Sequence, residues 1–479
     1  VAHLINHFYQ GDLVAAVQRA LDKIEGSYAL GVIARAHPDR VVVARKDSPL
    51  VIGLGQGENY FASDIPAILK HTRRVILLED REIAVIWKER VKVVDQFGNP
   101  VSKEIMEITW DVEAAEKAGY QHFMLKEIHE QPKALRDTLA SRLRAGKVDL
   151  SELNMTKERL AKTAKIWIIA CGTAYHAGVV GKYVIEKTAR LPVNVEIASE
   201  FRYMDPFIDA SDLAIIISQS GETADTLAAL RLCKQAGARV IAITNVVGST
   251  ASREADSVLY TWAGPEIAVA STKAYTTQLL CLYLMALDFA CKLGRIAPEE
   301  YTGIIEELGK LPALAQAVIE NKELIQRCAV ETFNVPSIFY IGRGLDYAVA
   351  KEGSLKLKEI SYINSEAYAA GELKHGTIAL IEEGTPVIAL ATQPHVLEKT
   401  LSNIKEVKSR GAFVIAVAVE GNEAIRQEAD RVIHIPATHP LLTPVLAAVP
   451  LQLYAYYIAV AKGCDVDKPR NLAKSVTVE

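Results

Sequence analysis

The chain repeats itself. SIFYIGRGLDYAVAKEG lies on KIWIIACGTAYHAGVVG when Gly344 is set on Gly172, 172 residues apart. TPVIALATQPHVLEKTL lies on DLAIIISQSGETADTL at a spacing of 173, and GAFVIAVAV on GARVIAITN at 174. RVIHIPA falls on SVLYTWA at that same spacing. A near-constant offset over four segments is the mark of a duplicated domain. Within each copy, continuous apolar runs such as IWIIA and LAIIIS alternate with helical stretches. Runs of that kind suit parallel strands buried on both faces, so each copy reads as one doubly wound α/β unit.

Ahead of the repeat, residues 1–110 read as one helix followed by mostly antiparallel β structure. SYALGVIARAHPDRVVVARKDSPLV offers two apolar runs joined at His37-Pro38-Asp39, and REIAVIWKERVKVV offers a second hairpin. Residues 111–151, with FMLKEIHEQPKALRDTLASRLRAG, read as a helical linker. The remaining boundaries are expected at 152–300, 301–465 and a tail at 466–479. A net charge of −4 and the lack of any basic run argue against nucleic acid. Six cysteines without a CxxC pair read as reduced thiols of a cytoplasmic protein. The apolar stretch Gln278 to Ala290 contains Asp288 and reads as too short to span a bilayer, so no membrane is expected.

Three segments carry candidate chemistry. Ser218-Gln219-Ser220-Gly221-Glu222-Thr223 ends a strand and enters a helix, the place where open α/β sheets bind ligands. Its hydroxyls, amide and glycine beside free helix N–H groups suit a small phosphate ester, and the absence of Lys sets it apart from a nucleotide P-loop. Ordinary N-capping would use the same residue types. Cys171-Gly172-Thr173 ends the neighbouring strand. KEGSLKLKEISYINSEAYAAGELKHG holds Lys356, Glu359, Glu372, Lys374 and His375. Lys356 and Glu359 are i,i+3 on one helix, where a Glu and a Lys in a closed site can move a proton between adjacent carbons; a solvated face of ion pairs would look alike. The tail DVDKPRNLAKSVTVE carries Lys474. His3 and His7 stand at i,i+4, without the further ligands that a metal site needs.

CGTAYHAG, SEFRY, SQSGETADT, VASTKAY, EGSLKLKEISYI, EAYAAGELKHG and DVDKPRNLAKSVTVE together resemble the glutamine–fructose-6-phosphate aminotransferase (isomerising) family, from the first residue to the last. VARKDSPLVIGLGQGENYFASD resembles the later part of that family's glutaminase domain. The resemblance implies two tandem doubly wound sugar isomerase (SIS) domains, preceded by a partial antiparallel-β/α glutaminase domain. It implies formation of glucosamine 6-phosphate from fructose 6-phosphate, the first step of hexosamine synthesis, with glutamine or ammonia as nitrogen source. Ser218, Gln219, Ser220 and Thr223 would hold the 6-phosphate, while Thr173, Val269 and Ser271 would line the sugar site. Lys474 would form a Schiff base with the C2 ketone. Glu359 would move the proton between C1 and C2, assisted by Lys356. His375, reaching in from the other subunit of a homodimer, would open the ring. No metal or organic cofactor is implied.

Two departures stand out. Many relatives have Ser where this chain has Ala174, which removes one hydroxyl near the substrate. The family's glutaminase uses an N-terminal cysteine nucleophile, whereas this chain starts at Val1 and its first cysteine is Cys171. Glutamine hydrolysis by these residues alone is therefore not expected. A bare sugar-phosphate isomerase and a sugar-phosphate sensor remain as alternatives. The glutaminase-like residues argue against the first, and the lack of an output module against the second.

Overall fold

The computed structural model describes residues 1–46, 48–63, 65, 67–108, 117–144 and 146–476, so parts of the expected linker (111–116) and of the tail (477–479) lie outside the described residues. The described residues form two compact units, one built mainly from residues 1–108, the other from 117–221 and 225–474.

The first unit opens with two helices, Ala2–Phe8 and Leu13–Leu21, where the sequence suggested one. The break falls at Gly11, whose φ of +99° favours glycine. Asp12 then caps the second helix by accepting from the Val14 and Ala15 N–H groups (2.9 and 3.2 Å). The β structure is antiparallel throughout. One sheet runs Tyr28–Ala34, His37–Lys46, Ile83–Trp87, Val91–Val94, Pro100–Val101; the other runs Asn59–Ala62, Val51–Leu54, Arg74–Leu77, Met106–Glu107. The first hairpin does not turn at His37-Pro38-Asp39. Ala34 pairs with His37, which puts the turn at Arg35-Ala36 and the proline inside the strand. Leu13, Ala16, Val17 and Ala20 on the second helix pack on Val42, Ala44, Ile83 and Val85 of the sheet.

The second unit begins with helices Phe123–His129 and Gln131–Ala140. Helix does not continue through the following Leu143-Arg144, which pairs with Lys147-Val148 in a short hairpin. Two five-stranded parallel sheets follow with the same order. The first is Val193–Ile197, Ile166–Ala170, Leu213–Ile217, Arg239–Thr244, Ser257–Tyr260. The second is Asn364–Ala369, Ser337–Gly342, Pro386–Ala391, Phe413–Val419, Arg431–Ile435. The expected strands are present, and each sheet gains one edge strand, Val193–Ile197 and Asn364–Ala369.

Both faces of each sheet are covered. Ile166, Ile168 and Ala170 point into the large core that runs through both repeats, while Trp167 and Ile169 point into a separate outer cluster with Leu227 and Leu230. Each such isoleucine contributes about 1.5–3 kcal/mol on burial, which is why the run is unbroken by polar residues. The shared core is threaded by Lys273–Leu293 and Thr443–Ala461. Both are long and apolar enough to cross a membrane by length and composition, which corrects the short span read from Gln278 to Ala290. In the fold 94% and 83% of their apolar windows are buried, so they serve as core helices. At Gly353 an added Cβ would meet Leu451 at 2.7 Å, so glycine permits the close approach of Leu345–Ser361 to Thr443–Ala461.

Candidate active site

The strand Leu213–Ile217 delivers Ser218 to its C-terminal end, where the chain turns toward helix Ala224–Gln235. Ser218 Oγ accepts from the Gly221 N–H (3.0 Å), and the Gln219 carbonyl accepts from Asn245 N–H (3.0 Å) and Thr244 Oγ1 (3.3 Å). Gly221 has φ +67°, and a Cβ there would collide with Ser249. The loop is thus held by the Ser218 hydroxyl and by Thr244 and Asn245 of the neighbouring strand end. Thr223 is the last loop residue before the helix. On the adjoining strand end, Cys171 Sγ lies 3.7 Å from Thr226 Oγ1 of that helix, and burial pushes its thiol up.

Thr173 lies in the first turn of the helix Gly172–Thr188 of the first repeat and meets Leu345–Ser361 of the second. Lys356, 1% exposed, donates to Glu359 (2.6 Å) and to Thr173 Oγ1 (2.9 Å), and sits 3.5 Å from Glu352. Thr173 in turn donates to Glu352 (3.1 Å), whose other oxygen pairs with His176 Nδ1 (2.8 Å). Burial opposes the Lys356 charge, but Glu352 and Glu359 outweigh it and hold the ammonium up at about 12. Lys356 is therefore a fixed cation beside Glu359, suited to stabilise negative charge and unsuited to act as a base.

Residues 466–474 of the tail cross the same unit without helix. Asp467 caps Phe123–His129 by accepting from the Phe123 and Met124 N–H groups (2.9 Å each), and its carbonyl accepts from Val269 N–H (3.0 Å). The Arg470 guanidinium stacks on Tyr362 at 4.2 Å. So anchored, the tail brings Lys474 Nζ to Glu266 (2.6 Å), the Ala268 carbonyl (2.9 Å) and Ser271 Oγ (3.4 Å). Glu266 is buried. Burial would raise its carboxyl, yet Lys474 and the Thr272 and Ala274 N–H groups pull it down to about 2.

The sequence-predicted residues Lys474, Ser271, Lys356, Glu359 and Thr173 thus fall into two polar clusters of one unit, in which Lys356 is buried and the other four are half-buried. The backbone of Val269 is tied to the tail. His375 lies elsewhere: it is exposed on the turn Leu373–His375, and among the described residues no hydrogen bond or ion pair joins it to Lys474, Lys356 or Glu359. Glu372 and Lys374 are likewise exposed. Glu266, Glu352 and His176 were missed. Glu352 completes an i, i+4, i+7 stripe with Lys356 and Glu359 that the sequence did contain. Glu266 and His176 carry no local signal. Among the described residues no three His, Cys, Asp or Glu side chains stand close enough to share a metal ion.

The SIS domain family matches residues 159–288 and 333–462. The chain is 64% identical over 480 residues to a glutamine–fructose-6-phosphate aminotransferase (isomerising) of Caldanaerobacter subterraneus subsp. tengcongensis, covering all of this chain and 79% of that protein. It is 59% identical to the Clostridium tetani protein of the same name, again over all of this chain and 79% of the other. Among solved structures it resembles the C-terminal domain of glucosamine-fructose-6-phosphate aminotransferase from Francisella tularensis (TM-score 0.70, 42% identity), covering 74% of this chain and all of that one.

Proposed function

The chain belongs to the glutamine–fructose-6-phosphate aminotransferase (isomerising) family, and we propose that it converts fructose 6-phosphate to glucosamine 6-phosphate at the site built around Lys474. The observation that carries this reading is an amine on an ordered tail, held by one buried carboxylate, one carbonyl and one hydroxyl. A lysine that only decorated a tail would not be so held.

In this reading Ser218, Gln219, Ser220 and Thr223 hold the 6-phosphate through hydroxyls and the helix N-terminus. Thr173, Val269 and Ser271 line the sugar. The Lys474 amine, once freed of its proton, adds to the C2 ketone, and water leaves. Ammonia, drawn from glutamine or solution, displaces the lysine and leaves an iminium at C2. Glu359 removes a C1 proton, giving an enaminol, and returns a proton to C2 while the C1 hydroxyl collapses to the aldehyde. Lys356 stabilises the negative charge on Glu359 and the developing oxyanion. His375, contributed by a second copy of the chain in a homodimer, assists ring opening. All six cysteines are unpaired, which supports a reducing, cytoplasmic setting.

Borohydride added with fructose 6-phosphate tests the reading. The expected result is a reduced sugar adduct on Lys474, located by peptide mass spectrometry. Sugar-phosphate binding without an adduct would overturn it and favour a sensor.

A further inference from the structure

We propose that Glu127 is a positioning residue for the Schiff-base lysine, clamping, as a neutral acid, Ala268, the residue whose carbonyl holds the Lys474 amine. The inference rests on the role proposed above for Lys474. Glu127 is 1% exposed on the helix Phe123–His129. Its Oε1 accepts from the Ile267 N–H and from the Ala268 N–H (3.1 Å). Ala268 is the residue whose carbonyl accepts from Lys474 Nζ at 2.9 Å. One carboxyl therefore grips the donor side of the residue whose acceptor side grips the amine. Asp467, capping the same helix and bonded to Val269, fixes the loop a second time. Helix, loop and tail are tied at two points around Lys474.

The protonation state follows from what surrounds it. Among the described residues Glu127 Oε2 has no hydrogen-bond partner, and a buried ionised oxygen without a donor is costly. Glu266 faces it from the loop, Lys474 from the tail and Lys273 from the start of helix Lys273–Leu293; Lys126 lies on its own helix and pairs at 3.3 Å with Glu130, just past the helix end. Lys273 is itself engaged by Glu130 at 2.6 Å. Burial first, then Glu266, push the Glu127 carboxyl up to about 8, while Lys474 and Lys273 pull against them.

Neutrality has a use. Lys474 must lose a proton before it attacks C2, and Glu266 already favours its charged form. A second ionised carboxyl nearby would hold the ammonium more firmly. A neutral acid offers its acceptor to the two peptide N–H groups and adds no negative charge.

The experiment compares the wild-type chain with Glu127→Ala and Glu127→Gln, reading the rate of borohydride trapping on Lys474 and the calorimetric Kd for fructose 6-phosphate. The expected loss for Glu127→Ala is roughly 10- to 100-fold in trapping at saturating sugar, with Kd changed less than about threefold, since a misplaced group costs rate before binding. Glu127→Gln, which copies the neutral acid, is expected to recover most of that loss. The ratio of wild-type to Glu127→Gln rates should fall as the pH rises through about 8, where Glu127 ionises. If Glu127→Ala does not fold, this ratio decides alone. A flat ratio, Glu127→Gln trapping as slowly as a folded Glu127→Ala, or Glu127→Ala trapping at the wild-type rate overturns the inference. No adduct on Lys474 in the wild-type chain overturns the parent reading instead.

Discussion

Glu127 faces the loop that carries Glu266, and their environments push the two carboxyls in opposite directions. Glu266 is held at about 2, so its contribution to stability is full above its ordinary pKa of 4.5 and is lost as the pH falls toward 2. Glu127 is held at about 8, so its contribution is full below 4.5 and is lost as the pH rises through 8. Glu266→Gln should therefore lower the thermal midpoint at neutral pH, by a stability loss of roughly 3 kcal/mol, and the deficit should shrink in acid. Glu127→Gln should gain on the wild type as the pH rises from 4.5 to 8. Thermal unfolding over a pH series checks both, and midpoint differences moving in the same direction for the two variants would refute the assignment. Neither carboxyl was legible in the sequence. In GPEIAVA a lone Glu looks like a solvated loop residue, and only the fold shows it buried against the tail. Lys474, by contrast, is legible through the family resemblance and not through composition, since a lysine near a chain end is usually solvated.

The parallel strands were readable at the level of elements because burial on both faces leaves no room for polar residues. The edge strands Val193–Ile197 and Asn364–Ala369 were not, because an edge position lets Asn194, Glu196, Asn364 and Glu366 stay in the strand with polar side chains. The hairpin at Arg35-Ala36 was misplaced by two residues because the proline, a common turn residue, lies instead within a strand. The phosphate loop was legible because its chemistry is contiguous: strand end, hydroxyls, glycine and helix start fall within six residues. Its geometry gives a sharp test. Gly221 combines a left-handed φ with a backbone pressed against Ser249, so Gly221→Ala strains the turn and pushes the loop outward. The expected outcome is at least a tenfold rise in the Kd for fructose 6-phosphate, with a stability loss of about 1–3 kcal/mol. Unchanged affinity measured by calorimetry would show that the loop does not bind the phosphate.

Duplication gave this chain two similar sheets, yet the chemistry they carry is not duplicated. The first repeat supplies the hydroxyl loop and the Glu266 loop, while the second supplies the helix bearing Glu352, Lys356 and Glu359, and the tail. If His375 acts across a homodimer, mixing Lys474→Ala chains with His375→Ala chains should restore activity, because one hybrid site keeps both residues; verified heterodimers without recovery would refute sharing. The same division predicts one phosphate site per chain. Where the first repeat has Ala174 the second has Asp346, 172 residues on, and where the first has Gln219 the second has Thr392. Asp346 is buried and accepts from both the Thr392 N–H (2.8 Å) and the Thr392 hydroxyl. Gln393 is turned away to the Pro440 carbonyl (3.0 Å) and Thr443 (2.8 Å). Pro394 stands where Gly221 stands in the first loop and has no N–H to offer. An internal carboxyl therefore already takes the donors that a phosphate would need. Burial pushes the Asp346 carboxyl up to about 6, and its ionised form, present as the pH rises above that, repels an anion. Titration calorimetry with fructose 6-phosphate should give a stoichiometry of one sugar per chain, and a crystal soaked with the sugar should show phosphate on Ser218–Thr223 alone. A second phosphate on residues 391–400 would mean that Asp346 can be displaced and that the repeats are functionally equivalent.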